Sequence, residues 1–574
     1  MSSCSSTDLK RSGIGPGGTG HRPVAAGDSP AAYTAPRATE SVSLLAVPKL
    51  GGESPPSTAK LAVPPGTGCL ASCLPGAVYE PLDDKAASSH PRATRRLQTA
   101  GTGLGRREFL WRIGGGFGGL AMADLFAREA LGDGAFQPRP EFNGGLHHPA
   151  KVKRVIQLFM TGGVSQMDTY DYKPALEKLH GQKLGPTEKP EGFTAMPGTM
   201  MKSPFEFRQH GQCGRWVSSV FPEQAKLVDE LAFLMAMTSK TNVHGPGTYM
   251  MNSGQLLPGF PCLGAWVSYG LGRLTDNLPT FVVLPDARGL PYNQNGTFSA
   301  GFLPAVHQGT ILNAGAPELV PDLFAREKFK FATRDADRDG LALLDKLNRA
   351  HAKANPADSR LDARIASYEL AAKMQLSAPE AFDLAKESEA TRKAYGLDNK
   401  VTEDFGRRCL LARRLIERGT RFVQVWSGPQ GAVNNWDNHG NIPNELPPMA
   451  ASVDQPIAAL LRDLKSRGLL ADTLVVWTTE FGRTPFAQGS VGRDHNGGTF
   501  VTWLAGAGIK PGVAVGQSDE WGYQAAEGKT YCYDLHATIL HLMGIDHERL
   551  TVRHSGLDRR LTDVHGDVVR AVLA

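Results

Sequence analysis

From Lys151 onward the chain alternates short, continuous apolar runs with longer stretches in which apolar residues recur every three to four positions. That is the pattern of buried strands joined by amphipathic helices, in a mostly parallel sheet covered on both faces. VIQLFM (155–160), LAFLMAM (231–237), TFVVLP (280–285) and FVTWLA (500–505) read as buried strands. RFVQVW (421–426) follows a helix, GRRCLLARRLIERG, that Gly419 closes. In the clearest unit, Asp454 and Pro456 open a helix whose Ile457, Leu460, Leu461 and Leu464 fall at i, i+3, i+4 and i+7. Gly468 ends that helix and TLVVWTT (473–479) follows as a strand; a last helix, DLHATILHLMG, completes the series. The expected fold class is α/β.

Two stretches depart from this pattern. Residues 1–100 are rich in Ser, Gly, Pro and Ala with no apolar periodicity, and are expected to be disordered. Next comes GRREFLWRIGGGFGGLAMADLFA, in which Arg106-Arg107 precede Phe109-Leu110 and a weakly apolar, glycine-rich run. This is the layout of a twin-arginine export signal, placed at 101–132; its five closely spaced glycines make a poor soluble helix. Such signals lie near the start of translation, so the true start is expected to fall after residue 1. Ala121-Met122-Ala123 has the small-x-small form of a cleavage site, and only an uncleaved leader would hold the protein to the membrane. No other run reaches the roughly 18 to 20 apolar residues of a span. The expected location is the periplasm or cell envelope, with the twin-arginine machinery as a partner. The second departure, 335–400, is charged, alanine-rich and strand-free, and reads as a helical insertion within a domain covering 145–574.

Composition narrows the function classes. A hydrophobic content of 41% with 21% charged residues is ordinary for a soluble domain. The net charge is +5, and Lys10, Arg11, Arg37, Lys85, Arg92, Arg95, Arg96, Arg106 and Arg107 all precede the domain, which leaves it no basic surplus and argues against a nucleic-acid partner. Of seven cysteines, Cys4, Cys69 and Cys73 lie in the first stretch. Cys213, Cys262, Cys409 and Cys532 form no CxxC or Cys/His zinc spacing, and read as small buried hydrophobes.

In open parallel sheets ligands bind beyond the carboxyl ends of the strands, so the polar residues directly after each strand are the candidates. VIQLFM is followed by Ser165, Asp168 and Asp171, and LAFLMAM by His244. RFVQVW leads to WDNHG with Asp437 and His439; TLVVWTT leads to Glu480 and Arg483, then to Asp494 and His495 in GRDHNGG. Several carboxylates with several imidazoles suit zinc or manganese, or calcium or magnesium if the histidines stand back from the ion. Arg483 offers a bidentate fork to a phosphate or sulfate. His536, His541, His547 and His554 read as packing or surface residues.

On these residues the chain resembles an exported family catalogued as a domain of unknown function and grouped with the alkaline phosphatase and sulfatase superfamily. The carriers are the twin-arginine leader, VIQLFMTGGVSQMDTYDYKP, CLLARRLIERGTRFVQV, WDNHG, TTEFGRTP, GRDHNGG and RRLTDVHG. The resemblance implies a three-layer α/β/α alkaline-phosphatase-like domain, one or two divalent metals, and hydrolysis of phosphate or sulfate esters, the substrate being a small anionic ester or a sulfated or phosphorylated glycan. It implies metal ligands at Asp437, His439, Glu480 and His495, with Asp168 or Ser165 standing in where Thr161-Gly162-Gly163 replaces an expected Asp. Phe481 succeeds Glu480 where the superfamily has Asp-His or Asp-Asn, which puts a second metal in doubt. HGPGTYMMNSG matches the sulfatase nucleophile segment with His244 in place of the cysteine, so a formylglycine mechanism is not expected; His244 is left as nucleophile, general acid/base or ligand, and Ser165 and Arg483 as further catalytic candidates. A non-catalytic metal- or anion-binding envelope protein on the same fold is the alternative, and a scaffold acting through the insertion a third reading.

Overall fold

Arg154–Met160 forms β1, and its side chains alternate between two apolar layers: Ile156, Leu158 and Met160 face one, Val155 and Phe159 the other. A strand apolar on both faces needs helices on both sides. The computed structural model describes residues 146–183, 196–316 and 380–574, with isolated positions between 319 and 365, all within the unit Thr99–Ala574. The expected leader (101–132), the first hundred residues and most of the expected insertion (335–400) lie outside the described residues. The described end of that insertion carries two short helical segments, Leu384–Lys386 and Glu389–Ala394.

In chain order the further strands of the main sheet and of the hairpin at the site are β2 Leu231–Thr238, β3 Phe281–Leu284, β4 Thr310–Ile311, β5 Phe422–Ser427, β6 Thr473–Thr478, β7 Gly482–Gln488, β8 Gly492–Asn496, β9 Phe500–Gly506, β10 Ala514–Val515 and β11 Thr530–Tyr531. One sheet runs β10–β2–β9–β6–β1–β5–β3–β4, with β11 also paired to β2, while β7 and β8 form a separate hairpin. Pairing in the sheet is parallel except along β9, which is antiparallel to β6 and β2. The cause is local: β9 is reached from β6 through the β7–β8 hairpin rather than a crossover helix, and parallel return needs a crossover.

The main helices are α1 His244–Ser253, α2 Leu263–Leu271, α3 Glu403–Glu417, α4 Ile442–Ser466 and α5 Cys532–Leu542. Leu410 and Leu411 of α3 and Val453, Ile457 and Leu460 of α4 pack in the layer of Ile156; Met250 of α1, Trp266 of α2 and Ile539 of α5 pack in the layer of Val155. The result is the expected α/β/α arrangement around a mostly parallel sheet.

One helix boundary differs from expectation. α4 begins at Ile442, twelve residues before Asp454, and runs through Pro447, Pro448 and Pro456. Ile442, Leu446, Met449, Ala450 and Val453 extend the buried stripe backwards, so packing outweighs the missing backbone donors. Asp454 caps a different segment: its carboxylate accepts the N–H of Glu223 at 2.7 Å and of Gln224 at 2.9 Å.

Two polar features brace the sheet, one at mid-strand and one at its C-terminal edge. Gln157 on β1 and Gln424 on β5 are register partners, and Gln424 Nε2 donates to Gln157 Oε1 (2.9 Å) and to Asn252 Oδ1 of α1 (2.8 Å), which locks α1 onto the strands. Asp286, just after β3, accepts the N–H of Gly428 after β5 (2.8 Å) and pairs with Arg288 through Nε and Nη2 (both 2.8 Å), with Arg408 at 3.6 Å. Burial pushes the Asp286 carboxyl up, but the Arg288 hydrogen bonds and the Arg408 charge outweigh it and hold the group at about 2. A depressed carboxyl stabilises the fold above its unfolded pKa of about 3.9 and loses that contribution as pH falls toward 2, a swing of about 2 kcal/mol. Asp286→Asn should therefore lower stability in urea titrations at pH 7 by about 3 kcal/mol, since the buried Arg408 loses a partner, with a smaller deficit near pH 2.5. Equal deficits at both pH values would contradict this assignment.

Candidate metal centre

The loop after β5 reaches the centre of the sheet edge because Trp436 is wholly buried there, its Nε1 donating to Ser427 Oγ at 3.1 Å and its N–H to Thr161 O at 2.9 Å. That route explains Thr161-Gly162-Gly163. A Cβ on Gly162, whose φ is +121°, would lie 2.5 Å from Asp437 N and 2.7 Å from Trp436 N, so the place of a strand-end carboxylate is given over to backbone contact. The same holds for β8, where a Cβ on Gly492 would lie 1.6 Å from His439 O. Asn435 Oδ1 accepts the Asp437 N–H at 3.1 Å and sets the turn that aims the aspartate inward.

Four side chains meet at this point. His244 opens α1 after β2, Asp437 and His439 come from the loop after β5, and His495 from β8. One ligand atom from each lies within 4.8 Å of every other. Asp437 Oδ1 is 2.8 Å from His439 Nε2, 3.1 Å from His495 Nε2 and 3.2 Å from His244 Nε2, while His439 Nε2 and His495 Nε2 are 2.7 Å apart. His244 Nε2 is off the direction a hydrogen bond to Asp437 needs, and is buried with no hydrogen-bond partner.

The opposite nitrogens decide what these atoms are. His244 Nδ1 faces Glu480 Oε1 at 2.8 Å, His495 Nδ1 faces the Asn242 carbonyl at 2.7 Å, and His439 Nδ1 faces Gln488 Oε1. Each partner is an oxygen acceptor, so the hydrogen-bond network places a proton on each Nδ1 and, in the neutral ring, a lone pair on each Nε2. Three nitrogen lone pairs and a carboxylate oxygen would then point at one another, an arrangement that needs positive charge among them, supplied by a proton on a ring or by a metal ion. A histidine whose far nitrogen donates to a carboxylate or carbonyl is the usual form of a zinc ligand. The donor set therefore fits a divalent metal.

Charge gathers at the same point. Burial raises the Asp437 carboxyl, but the contacts of His244, His439 and His495 and the charge of Arg483 outweigh it and hold it far below the carboxylate range, as they do with protons in place of a metal ion. Burial lowers the His495 imidazole to about 4, so the ring is neutral at neutral pH. Burial also works against the His244 cation, but the Asp437 and Glu480 carboxylates on either side raise its pKa overall. The Tyr292 phenol is pushed up to about 12 by burial, then by Asp437 and Glu480, and stays a hydroxyl. His439 is the most open of the four, with 29% of its side chain exposed against 11% or less for the others, so solvent enters from its side.

The remaining candidates lie elsewhere. Arg483, expected to grip an anion, is fully buried with its donors engaged: Nε to Gly163 O (2.7 Å), Nη1 to Arg493 O (3.1 Å), and Nη2 to Gly162 O, Trp436 O (3.3 Å) and Asp437 Oδ1 (2.6 Å). Glu480 is outside the four-residue group; its Oε1 takes His244 Nδ1 and the Gly162 N–H (2.8 Å), and its Oε2 the Thr479 hydroxyl (3.0 Å). Asp168 is held by Arg493 (2.6 and 3.2 Å) and by the Ser165 hydroxyl, so neither Asp168 nor Ser165 joins the group. Asp494 accepts the N–H of His495 at 2.8 Å. His536 is buried, its Nε2 donating to the Met251 carbonyl at 3.0 Å, and His554 stacks on Phe302. Among the described residues, His244, Asp437, His439 and His495 form the one such group. Asn242, Gln488, Tyr292 and Asn435 carry no sequence signal: Asn242 serves His495 through its backbone carbonyl, Gln488 ends β7, Tyr292 lies in the loop after β3, and Asn435 sits in the same loop as Asp437.

A family model described as "Protein of unknown function (DUF1501)" matches residues 152–573. No curated protein matches the chain. Among solved structures, alkaline phosphatase from the Antarctic bacterium TAB5 is 11% identical, over 69% of this chain and 98% of that one, with a TM-score of 0.30. PsFucS1 sulfatase from Pseudoalteromonas sp. is 14% identical, over 72% and 73%, at 0.31. The lipoteichoic acid synthase LtaP from Listeria monocytogenes is 10% identical, over 70% and 76%, at 0.32. At these values the likeness carries no argument about activity.

Glu480→Gln keeps the shape and the acceptor for Gly162 but removes the charge behind His244. If the group holds a divalent metal, the substitution should weaken that binding about 10- to 100-fold, as loss of a histidine's supporting partner does, with little change in melting temperature of the metal-free protein. Unchanged affinity in chelator competition would show that Glu480 does not support a ligand.

Proposed function

The chain belongs to the DUF1501 family, and from that premise we propose that it is an exported, metal-dependent hydrolase of phosphate or sulfate esters, acting on a small anionic ester or a sulfated or phosphorylated glycan. The observation that carries the proposal is the convergence of His244, His439 and His495 Nε2 with Asp437 Oδ1, each imidazole held by an acceptor behind it. Three imidazoles with one carboxylate favour zinc or manganese over calcium or magnesium, which prefer oxygen ligands. A divalent ion in this set would polarise an ester oxygen and lower the pKa of water.

The chain's own groups have distinct parts in this reading. Asp437 supplies the charge of the ligand set, and Arg483 fixes its Oδ1 from the buried side. Glu480 holds the His244 ring by Nδ1, and Asn242 and Gln488 hold the other two. His439 borders the solvent side, where a substrate enters. The Ser165 hydroxyl donates to Asp168 and is not poised as a nucleophile, so water is the attacking group. A second reading, a binding protein without turnover, is favoured by one observation: Arg483 is engaged internally and leaves the anion no guanidinium from this position.

Protein purified without chelators should carry about one equivalent of zinc or manganese and hydrolyse an aryl phosphate, phosphodiester or aryl sulfate, with activity lost to chelation and restored by metal. Asp437→Ala and His495→Ala should each cut occupancy at least about 10-fold. Metal without turnover would favour the binding protein; less than about half an equivalent would remove both readings. Export is part of the proposal and rests on Arg106-Arg107. Replacing both by lysine should leave the protein in the cytoplasm, and unaltered export would contradict the twin-arginine route.

A further inference from the structure

Tyr292 lies far from the four ligands in sequence, yet its ring stacks on the His244 imidazole at 4.5 Å between centroids with an interplanar angle of 5°. Phe481 also packs against that imidazole, at 4.9 Å and 33°. The Tyr292 hydroxyl donates to the Gly431 carbonyl at 3.0 Å. The same carbonyl accepts Asn435 Nδ2 at 2.6 Å, and Asn435 Oδ1 receives the N–H of Asp437. One backbone oxygen thus joins the residue that covers His244 to the residue that sets Asp437. Gln430 N–H donates to Leu290 O at 2.9 Å, so the two loops are also paired through their backbones.

The segment carrying the tyrosine is held in an unfavourable conformation. Asn293 and Gln294 both have positive φ, +65° and +50°, two consecutive non-glycine residues in a region that L residues rarely occupy. Such strain persists only where the surroundings over-determine it, and it gathers at functional sites. Here Asn293 Nδ2 donates to the carbonyl of Gly245, next to His244, at 2.7 Å, and Thr297 Oγ1 donates to the Tyr292 carbonyl at 2.8 Å. A Cβ on Gly245 would lie 2.9 Å from Asn293 Oδ1, so the loop fits closely over the start of α1.

The geometry points to Tyr292 as a positioning residue of the metal centre: its ring fixes the plane of the His244 imidazole, and its hydroxyl, through the Gly431 carbonyl, couples that ligand to the loop bearing Asp437 and His439. This rests on the metal reading above. Glu480 fixes the His244 ring at one nitrogen but leaves rotation about that hydrogen bond, and the stacked tyrosine removes it. The strained pair at 293–294 keeps the aromatic face in place before metal arrives, so the ligand set is arranged in advance rather than assembled around the ion.

The test uses the full-length protein, stripped of metal and titrated with zinc and with cobalt(II) against a chromophoric chelator. Tyr292→Leu removes the ring and should weaken zinc binding about 10-fold and shift the visible bands of the cobalt form, which report ligand geometry. Tyr292→Phe keeps the ring and loses only the tether, so its cobalt spectrum should stay close to that of the parent, with about a threefold loss of affinity. Tyr292→Trp should restore most of what leucine loses. A tyrosine that merely packed would alter melting temperature alike in all forms and leave the cobalt bands in place. Parent-like affinity and spectrum in Tyr292→Leu, with the parent binding metal, would overturn this inference alone. A parent that binds neither ion would overturn the metal reading and this inference with it.

Discussion

Four electron-pair donors held face to face are the constraint on which the rest of this structure depends. His244, His439 and His495 each present Nε2 to Asp437 Oδ1 and to one another, and each is tied behind by Nδ1 to an oxygen. Left alone, such a group would turn its rings away. The surrounding fold keeps it in place: Gly162 gives up side-chain space to the Asp437 backbone, Trp436 is buried as an anchor, and the Gln157–Gln424–Asn252 network ties α1 to the strands.

Arg483 occupies an unusual position in this scheme. A fully buried guanidinium is stable only when its donors are satisfied and its charge is matched, and here carbonyls of three segments and Asp437 do both. The arginine therefore welds the turn after β1, the loop after β5 and the β7–β8 hairpin together at the site. Its cation beside Asp437 also lowers the net negative charge of the four-residue group, which would moderate the affinity of that group for a metal. The Asp168–Arg493 pair, with Ser165 donating to Asp168, repeats this bracing one step further into the protein.

Much of this was legible in the sequence, for physical reasons. Strands such as 155–160 and 473–478 are buried on both faces, so their composition alone marks them, and the rule that ligands gather at strand ends then points to His244, Asp437, His439 and His495. What was not legible depends on tertiary partners. Asp454 has the form of a helix cap but serves Glu223 and Gln224, because the stripe from Ile442 to Val453 extends α4 past three prolines. Asp168 follows its strand as a ligand should, yet Arg493, 325 residues away, takes its carboxylate. Arg483 and Glu480 belong to the site but stand behind the four converging side chains, a distinction of depth that a linear pattern does not encode. Asn242 acts through a backbone carbonyl, which any residue could supply.

The central claim is that these four side chains bind one divalent metal. X-ray absorption at the zinc edge of zinc-loaded protein tests it most directly, since imidazole nitrogens and carboxylate oxygens at about 2.0 to 2.2 Å and the outer-ring scattering of histidine are all visible there. The account predicts three imidazoles and one carboxylate, with one imidazole lost in His495→Ala. A spectrum with no imidazole scattering, or one unaltered by that substitution, would contradict it.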